Sequence, residues 1–148
     1  MQTISKNFVF LPCILKFFMR TKALVILICS YILCYSQNVL FKTISLEEAL
    51  ELSNKEKKPV FIDFYASWCG PCKLMDKKTF SNEEVATYMN ANFINIKIDV
   101  DDKAFSKVVN ELNISEVPTF IVMDSQKKVI KRLKGYYSDK KFLKEISE

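Results

Sequence analysis

The sequence contains no histidine, and its 148 residues include only two glycines and four prolines. Without histidine the chain cannot form a Ser–His or Cys–His catalytic pair or a histidine-ligated metal site. The low glycine and proline content excludes collagen-like and linker-rich architectures. Hydrophobic residues make up 49% and aromatic residues 13% of the chain, which is enough to bury a core. This composition predicts one folded domain with a short appendage.

The net charge of +5 is distributed unevenly along the chain. Residues 1–36 contain four basic residues and no acidic one, whereas residues 37–148 contain the other 18 bases and all 17 acids, a net charge of +1. A face that binds nucleic acid would need a clustered basic excess in this second part. The bases between residues 127 and 134 alternate with apolar residues, which is typical of the solvent side of an edge strand. We therefore predict no nucleic-acid partner.

Residues 1–36 have the layout of an export signal. An uncharged apolar run over residues 23–35 follows Arg20 and Lys22 and gives way to polar residues. A basic segment, 7–15 apolar residues and an exit of small residues are typical of a secretory signal peptide. The run is shorter than the roughly 20 residues that span a bilayer. The sequence predicts cleavage before Gln37, which leaves residues 37–148 as the mature domain.

Three other interpretations of this leader remain open. It is retained as a membrane anchor in one of them. In another, translation starts at Met19, which begins a compact leader by itself. In the third, Cys34 is lipidated, although Leu33 stands where such signals favour a small residue.

Cleavage would leave a single pair of cysteines. Three of the five cysteines lie in the leader, and residues 37–148 contain only Cys69 and Cys72. A disulfide that closes so short a loop removes little entropy from the unfolded chain, which disfavours an inert crosslink. A structural zinc site needs four ligands, and two cysteines without histidine do not supply them. We therefore predict that the pair serves redox chemistry, with no metal and no other cofactor.

Hydrophobic periodicity predicts the order β-α-β-α-β-α-β-β-α after the leader. Two capping-box spacings, from Ser45 to Glu48 and from Ser81 to Glu84, indicate where two of the helices begin. The alternation of strands and helices predicts an α/β fold with a largely parallel central sheet and a terminal antiparallel hairpin. The predicted strands cover residues 39–44, 60–66, 93–100, 117–123 and 128–134, and the predicted helices cover residues 45–55, 73–78, 81–91, 101–112 and a final segment opened by Ser138.

The two cysteines lie where a hydrophobic strand gives way to a helix. The sulfur of Cys69 is predicted at the helix N-terminus, where unpaired backbone N–H groups and the helix dipole favour the nucleophilic thiolate. Attack by Cys69 on a disulfide gives a mixed disulfide, which Cys72 resolves by attacking Cys69. Pro71 suits the first helical turn, and Gly70 lets a partner chain approach closely.

The segment from Phe61 to Lys73, FIDFYASWCGPCK, resembles the active-site region of the thioredoxin family, and WCGPC is that family's motif. The resemblance covers about residues 40–147 and implies a thioredoxin fold, an α/β fold with a central mixed β-sheet flanked by helices. In this chain the fold would be preceded by the signal or anchor segment.

The resemblance also implies a role for each matching residue. Cys69 would be the nucleophile and Cys72 the resolving cysteine of a redox disulfide. Asp63 occupies the place of a buried aspartate that assists proton transfer at the second cysteine, and Lys97 matches its supporting lysine. The residues assigned to the substrate groove are Trp68, Gly70, Pro71 and the cis-proline Pro118.

Residues 77–85, KKTFSNEEV, look more like the thioredoxin-like domains of exported bacterial thiol reductases, including the C-terminal domain of the transmembrane reductant conductor. This implies a monomeric periplasmic protein, or one anchored in the membrane and facing the periplasm. Its substrates would be protein disulfides, and its electrons would come from a membrane thiol reductant. The Gly-Pro pair between the cysteines resembles the reducing members of the family. An oxidase or isomerase remains an alternative, because the motif alone does not fix the redox direction. So does a binding module without turnover.

Overall fold

The computed structural model describes residues 38–148, which contain four strands and five α-helices. The described residues also contain one π-helical turn over Met75–Thr79 and a 3₁₀ turn over Lys103–Phe105. The strands are β1 (Val60–Tyr65), β2 (Ile94–Asp99), β3 (Thr119–Met123) and β4 (Val129–Lys134). The helices are α1 (Leu46–Glu56), α2 (Gly70–Leu74), α3 (Glu83–Asn92), α4 (Ser106–Glu111) and α5 (Asp139–Ser147).

The four strands form one mixed sheet in the order β2-β1-β3-β4. β1 pairs in parallel with β2 and antiparallel with β3, and β3 pairs antiparallel with β4. The mixed sheet flanked by helices confirms the predicted fold class. Only one of the three strand pairs is parallel, however, so the sheet is not largely parallel. The periodicity of a strand reports its burial and carries no direct information on the direction in which it runs.

Each face of the sheet carries its own hydrophobic core. One face is covered by the π turn, α3 and α5 and is rich in aromatic side chains, with Phe61 of β1 at its centre. The other face is covered by α1 and packs isoleucine, leucine and valine side chains, with partly buried residues of α4 along its side. Because alternate residues of a strand point to opposite faces, Asp63 shares the aromatic face with Phe61.

The predicted first strand over residues 39–44 is wrong, because the structure has no strand there. Only Lys42 makes a bridge, parallel to Ile96 of β2. The N–H groups of Val39 and Leu40 instead donate to the Phe80 carbonyl and to Asn90 Oδ1, both at 2.8 Å. These contacts fix the segment along the edge of β2 without a second ladder.

One of the two predicted capping boxes is present. Ser45 and Glu48 exchange both hydrogen bonds at the start of α1. At α3 the cap is Asn82, whose Oδ1 accepts the N–H groups of Glu84 and Val85, while Ser81 donates to a carbonyl of the preceding turn. The prediction of Ser81 as cap is wrong, because an asparagine one position later competes for the same N–H groups.

The predicted leader, with its three cysteines and Met19, lies outside the described residues. Within residues 38–148, the helices are all too short or too polar to cross a bilayer.

Candidate active site

The site is built where β1 ends and α2 begins. Cys69 is the N-cap residue of α2, with an extended backbone, and its Sγ accepts the backbone N–H of Cys72 at 3.1 Å. Pro71 lies in the first turn, where its missing N–H leaves no unmade helical bond. The two cysteines are joined by a disulfide, with their Cα atoms 5.3 Å apart. The local sequence therefore places the pair at the helix start, with a backbone donor directed at the Cys69 sulfur.

The cysteines are shielded, while the residues around them are open to solvent. Cys69 and Cys72 are 2% and 3% exposed and pack with Ala66. Trp68 is 68% exposed, and its indole N–H donates to Asp101 Oδ2 at 2.8 Å. A Cβ atom added at Gly70 would meet no protein atom within 4 Å. A partner could therefore approach the disulfide beside a fixed, exposed indole.

The Pro118 loop lies against the same cysteines. The peptide bond between Val117 and Pro118 is cis, and Val117 packs against the cysteine cluster. The Pro118 carbonyl accepts the N–H of Gly135 at 2.8 Å, and the Thr119 hydroxyl donates to the Glu116 carbonyl at 2.7 Å. Both ends of the loop are thereby fixed.

Asp63 is a buried carboxyl group on the inner strand β1. It is 1% exposed, and its Oδ2 lies 3.2 Å from Lys97 Nζ. Its Oδ1 has no hydrogen-bond partner within residues 38–148. Burial raises the pKa of Asp63 to about 6, although the charge of Lys97 acts in the opposite direction. This carboxyl group can thus take up or release a proton close to neutral pH.

Lys97 holds two carboxylates at once. It lies directly beside Asp63 in the β1–β2 register, and its Nζ also bonds Asp76 Oδ1 in the π turn. Burial lowers the pKa of Lys97, but the negative charges of Asp63 and Asp76 outweigh burial, so that its pKa is raised overall. Lys97 therefore stays a cation that links the sheet to the segment following the cysteines.

The structure brings every sequence-predicted site residue to the end of β1, to α2 or to the strand and loop beside them. It also adds residues that the sequence analysis missed. Asp76 had a usable signal, because it follows Cys72 by four residues and so lies on the same side of the helical segment. Three aromatic rings lie around Lys97, those of Phe41, Tyr65 and Phe80. The sequence carried no signal for this arrangement, since the rings come from three separate segments.

The sequence matches the thioredoxin-like domain family over residues 46–148. The thiol:disulfide interchange protein DsbD of Campylobacter jejuni is 37% identical over 91 residues, which cover 60% of this chain and 16% of the relative. The chloroplastic thioredoxin-like protein CITRX of Arabidopsis thaliana is 35% identical over 98 residues, covering 64% of this chain and 51% of the relative. The chain thus matches about a sixth to a half of the length of these relatives.

Solved structures give the same result. A proposed disulphide-isomerase from Bacteroides thetaiotaomicron superposes with a TM-score of 0.68 and 30% identity, covering 76% of this chain and 93% of that one. The oxidised C-terminal domain of Neisseria meningitidis DsbD superposes with a TM-score of 0.62 and 27% identity, covering 74% of this chain and 97% of that domain. Because the family match spans most of the chain and includes both cysteines, the protein belongs to the thioredoxin-like family and has its disulfide oxidoreductase fold.

Proposed function

We propose that this protein is a thiol:disulfide oxidoreductase that reduces protein disulfides outside the cytoplasm. The observation that carries the proposal is the position of the Cys69 sulfur at the start of α2, where it accepts the Cys72 N–H. A backbone donor at this position stabilises the thiolate of the reduced protein, and the thiolate is the form that attacks disulfides. An inert crosslink would need no such donor.

The reaction proceeds through two exchanges. The Cys69 thiolate attacks one sulfur of the substrate disulfide, whose S–S bond breaks and releases a first substrate thiolate. Cys72 then loses its proton and attacks Cys69, which forms the Cys69–Cys72 disulfide and releases the second substrate thiolate. The substrate gains two electrons and two protons, one proton from Cys72 and the other from solvent. The protein loses two electrons and must be reduced again by another dithiol.

Asp63 and Lys97 support the second exchange. A buried carboxylate with a pKa of about 6 and one unpaired oxygen is suited to accept the Cys72 proton and pass it to the leaving thiolate. Lys97 keeps this carboxyl group ionised at neutral pH, since its cation lies 3.2 Å away.

The substrate would bind in the groove that surrounds the disulfide. Trp68 offers a large exposed surface, and its bond to Asp101 fixes the indole before binding. Gly70 and Pro71 lie exposed on one side and the Pro118 loop on the other. An extended cysteine-containing segment of a substrate protein fits this arrangement.

The leader and one relative support a location and an electron donor for the proposed activity. The basic-then-apolar leader over residues 1–36 supports export to the periplasm, with a membrane anchor as the alternative. The match to DsbD, a protein named for thiol:disulfide interchange, supports a membrane thiol reductant as the electron source. We propose that the protein works as a monomer without a cofactor or metal.

Reduction of insulin disulfides by the dithiol protein tests the reaction. We expect turnover in the parent chain and a loss of at least about 100-fold in Cys69→Ser, because Cys69 is the sulfur that accepts a backbone N–H at the start of α2 and so starts the exchange. Cys72→Ser should instead accumulate mixed disulfides on Cys69 with substrate proteins. Turnover that persists in Cys69→Ser, or partner binding that needs neither sulfur, would contradict the proposal and favour a binding module.

An isomerase is the second candidate, because the Bacteroides structure is a proposed disulphide-isomerase. Equilibration of the Cys69–Cys72 pair in glutathione buffers measures its reduction potential, which distinguishes a reductase from an isomerase. A reductase is expected near the thioredoxin potential of about −270 mV, and an isomerase near about −180 mV.

A further inference from the structure

Lys97 is enclosed by aromatic rings as well as by its two carboxylates. Its Nζ lies 4.9 Å from the ring centroid of Phe41, 5.0 Å from that of Tyr65 and 5.8 Å from that of Phe80. Ring faces at these distances attract an ammonium group. We call these three rings the aromatic cover of Lys97. It leaves the lysine side chain 21% exposed.

Phe41 is the member of this cover that precedes the first helix, α1. It belongs to the segment over residues 38–42, which is bonded to α3 through Asn90 and to β2 through the Lys42 N–H and the Asn95 carbonyl. The Phe41 ring also packs edge-on against Phe80, with centroids 5.3 Å apart. The position of the ring is therefore fixed by backbone contacts on both sides.

A groove of about 1000 Å³ reaches Lys97 from solvent, and Phe41, Tyr65 and Asp99 line it beside the lysine. Water that enters this groove would hydrate Lys97 and, behind it, the nearly inaccessible carboxyl group of Asp63. Phe41 and Lys97 both line the groove, and the Phe41 ring covers part of the lysine, behind which Asp63 is 1% exposed.

We propose that Phe41 is a positioning residue for proton transfer, because its ring over Lys97 limits the water that reaches Asp63, the carboxyl group that takes the Cys72 proton. The inference rests on the proposed function, in which Asp63 takes the proton of Cys72. It assigns a chemical role to the segment that precedes α1.

The charged groups around the pair are few. Asp63 on β1 faces Lys97 on β2 and is also influenced by Asp76 in the π turn, and Tyr65 presents its ring to the lysine. None of these groups is removed when Phe41 is shortened. Loss of the Phe41 ring should therefore act by letting water approach Asp63. Hydration reduces the desolvation that is the main cause of the raised Asp63 pKa.

The test is the titration of Asp63 in the oxidised full chain, followed by the 13C chemical shift of its carboxyl group. The parent should titrate near pH 6. In the series Phe41→Leu, Phe41→Val and Phe41→Ala the midpoint should fall stepwise toward the ordinary value of about 4, as the apolar cover shrinks. The graded series retains folded members if the alanine variant does not fold.

Phe93→Ala is the matched control. It deletes a ring that packs on Phe61 in the same aromatic core, with centroids 6.2 Å apart, and that is not one of the three rings over Lys97. Its midpoint should stay near that of the parent. A midpoint that does not move in the Phe41 series, or that moves equally in Phe93→Ala, overturns the inference.

Activity separates this inference from the proposed function. The rate of insulin reduction should fall as pH drops through the Asp63 midpoint, and this acid limb should move to lower pH in the Phe41 variants. The titration does not require turnover. An inactive parent would contradict the proposed function alone, whereas an active parent with an unmoved acid limb in Phe41→Ala would contradict the inference alone.

Discussion

Asp63 lowers the stability of the fold that contains it. Its pKa is raised by burial from an ordinary 3.8 to about 6, so the folded state binds its proton more tightly than the unfolded state does. Stability is then lost as pH rises from the unfolded value through the folded one, and the full loss applies above about pH 6. The difference between the two pKa values corresponds to about 3 kcal/mol at neutral pH.

Replacement of this carboxyl group should therefore stabilise the protein. Asp63→Asn cannot ionise, and we expect it to raise the free energy of unfolding by up to about 3 kcal/mol at pH 8 and by little at pH 4. Urea unfolding of the oxidised proteins at both values measures the difference. Asp76→Asn is the control, because this carboxylate is 49% exposed and its loss should bring no such gain. An equal change in the free energy of unfolding at both pH values would show that ionisation of the buried Asp63 carboxyl group does not destabilise the fold.

The sequence predicts the site as far as its contacts are local. Cys69, Pro71 and Cys72 lie within one helical turn, so the spacing alone positions them. Asp63 was recognisable because it lies in an otherwise hydrophobic strand. The contact of Lys97 with Asp76 joins residues 21 positions apart, and that with Phe41 depends on how a terminal segment packs. Periodicity carries no information on such contacts.

At the scale of elements, the junction between α2 and the final helix is held by Tyr137. Its N–H donates to Met75 Sδ at 3.3 Å, and its carbonyl accepts the hydroxyl of Thr79 at 2.7 Å. Met75 and Thr79 are the first and last residues of the π turn, and both are fully buried. The turn that carries Asp76 is therefore fixed to the chain that enters α5.

Thr79→Val tests this junction. Valine keeps the shape but leaves the Tyr137 carbonyl without its donor, which should lower the free energy of unfolding by about 1–3 kcal/mol in urea titrations. Thr79→Ser, which keeps the hydroxyl, should lose less. The same change at the exposed Thr87 should stay within about 0.5 kcal/mol. Equal effects at both positions would mean that the hydrogen bond does not hold the turn.

The segment over residues 39–44 illustrates what element prediction could not reach. Its composition suits a strand, and it does lie along the edge of β2. Its first N–H groups, however, find acceptors at Phe80 and Asn90, some 40 to 50 residues away in sequence. Whether such a segment becomes a strand depends on the acceptors that the fold places beside it, and these were not visible in its own residues.

At the scale of the whole molecule, the aromatic core connects the site to the last helix, α5. Phe142 of α5 is fully buried and packs against Phe61, Phe80 and Phe120, with centroid distances of 6.0, 5.4 and 5.7 Å. Phe80 in turn belongs to the aromatic cover of Lys97. A change in α5 should therefore reach the active site through one continuous core.

Phe142→Ala is expected to lower the free energy of unfolding by about 3–5 kcal/mol, because the truncation removes buried area and leaves a cavity among the remaining rings. Trp68 is the single tryptophan and lies at the active site, so its fluorescence reports the site while far-UV circular dichroism reports the helices and strands. If the domain unfolds as one unit, both signals should move to the same lower urea midpoint. Leu143→Ala, on the same helix but only half-buried, should shift both midpoints by less. The Trp68 fluorescence midpoint could instead stay at the parent value while the circular dichroism midpoint falls. That result would show that α5 unfolds separately from the site, and that the aromatic core does not couple the two.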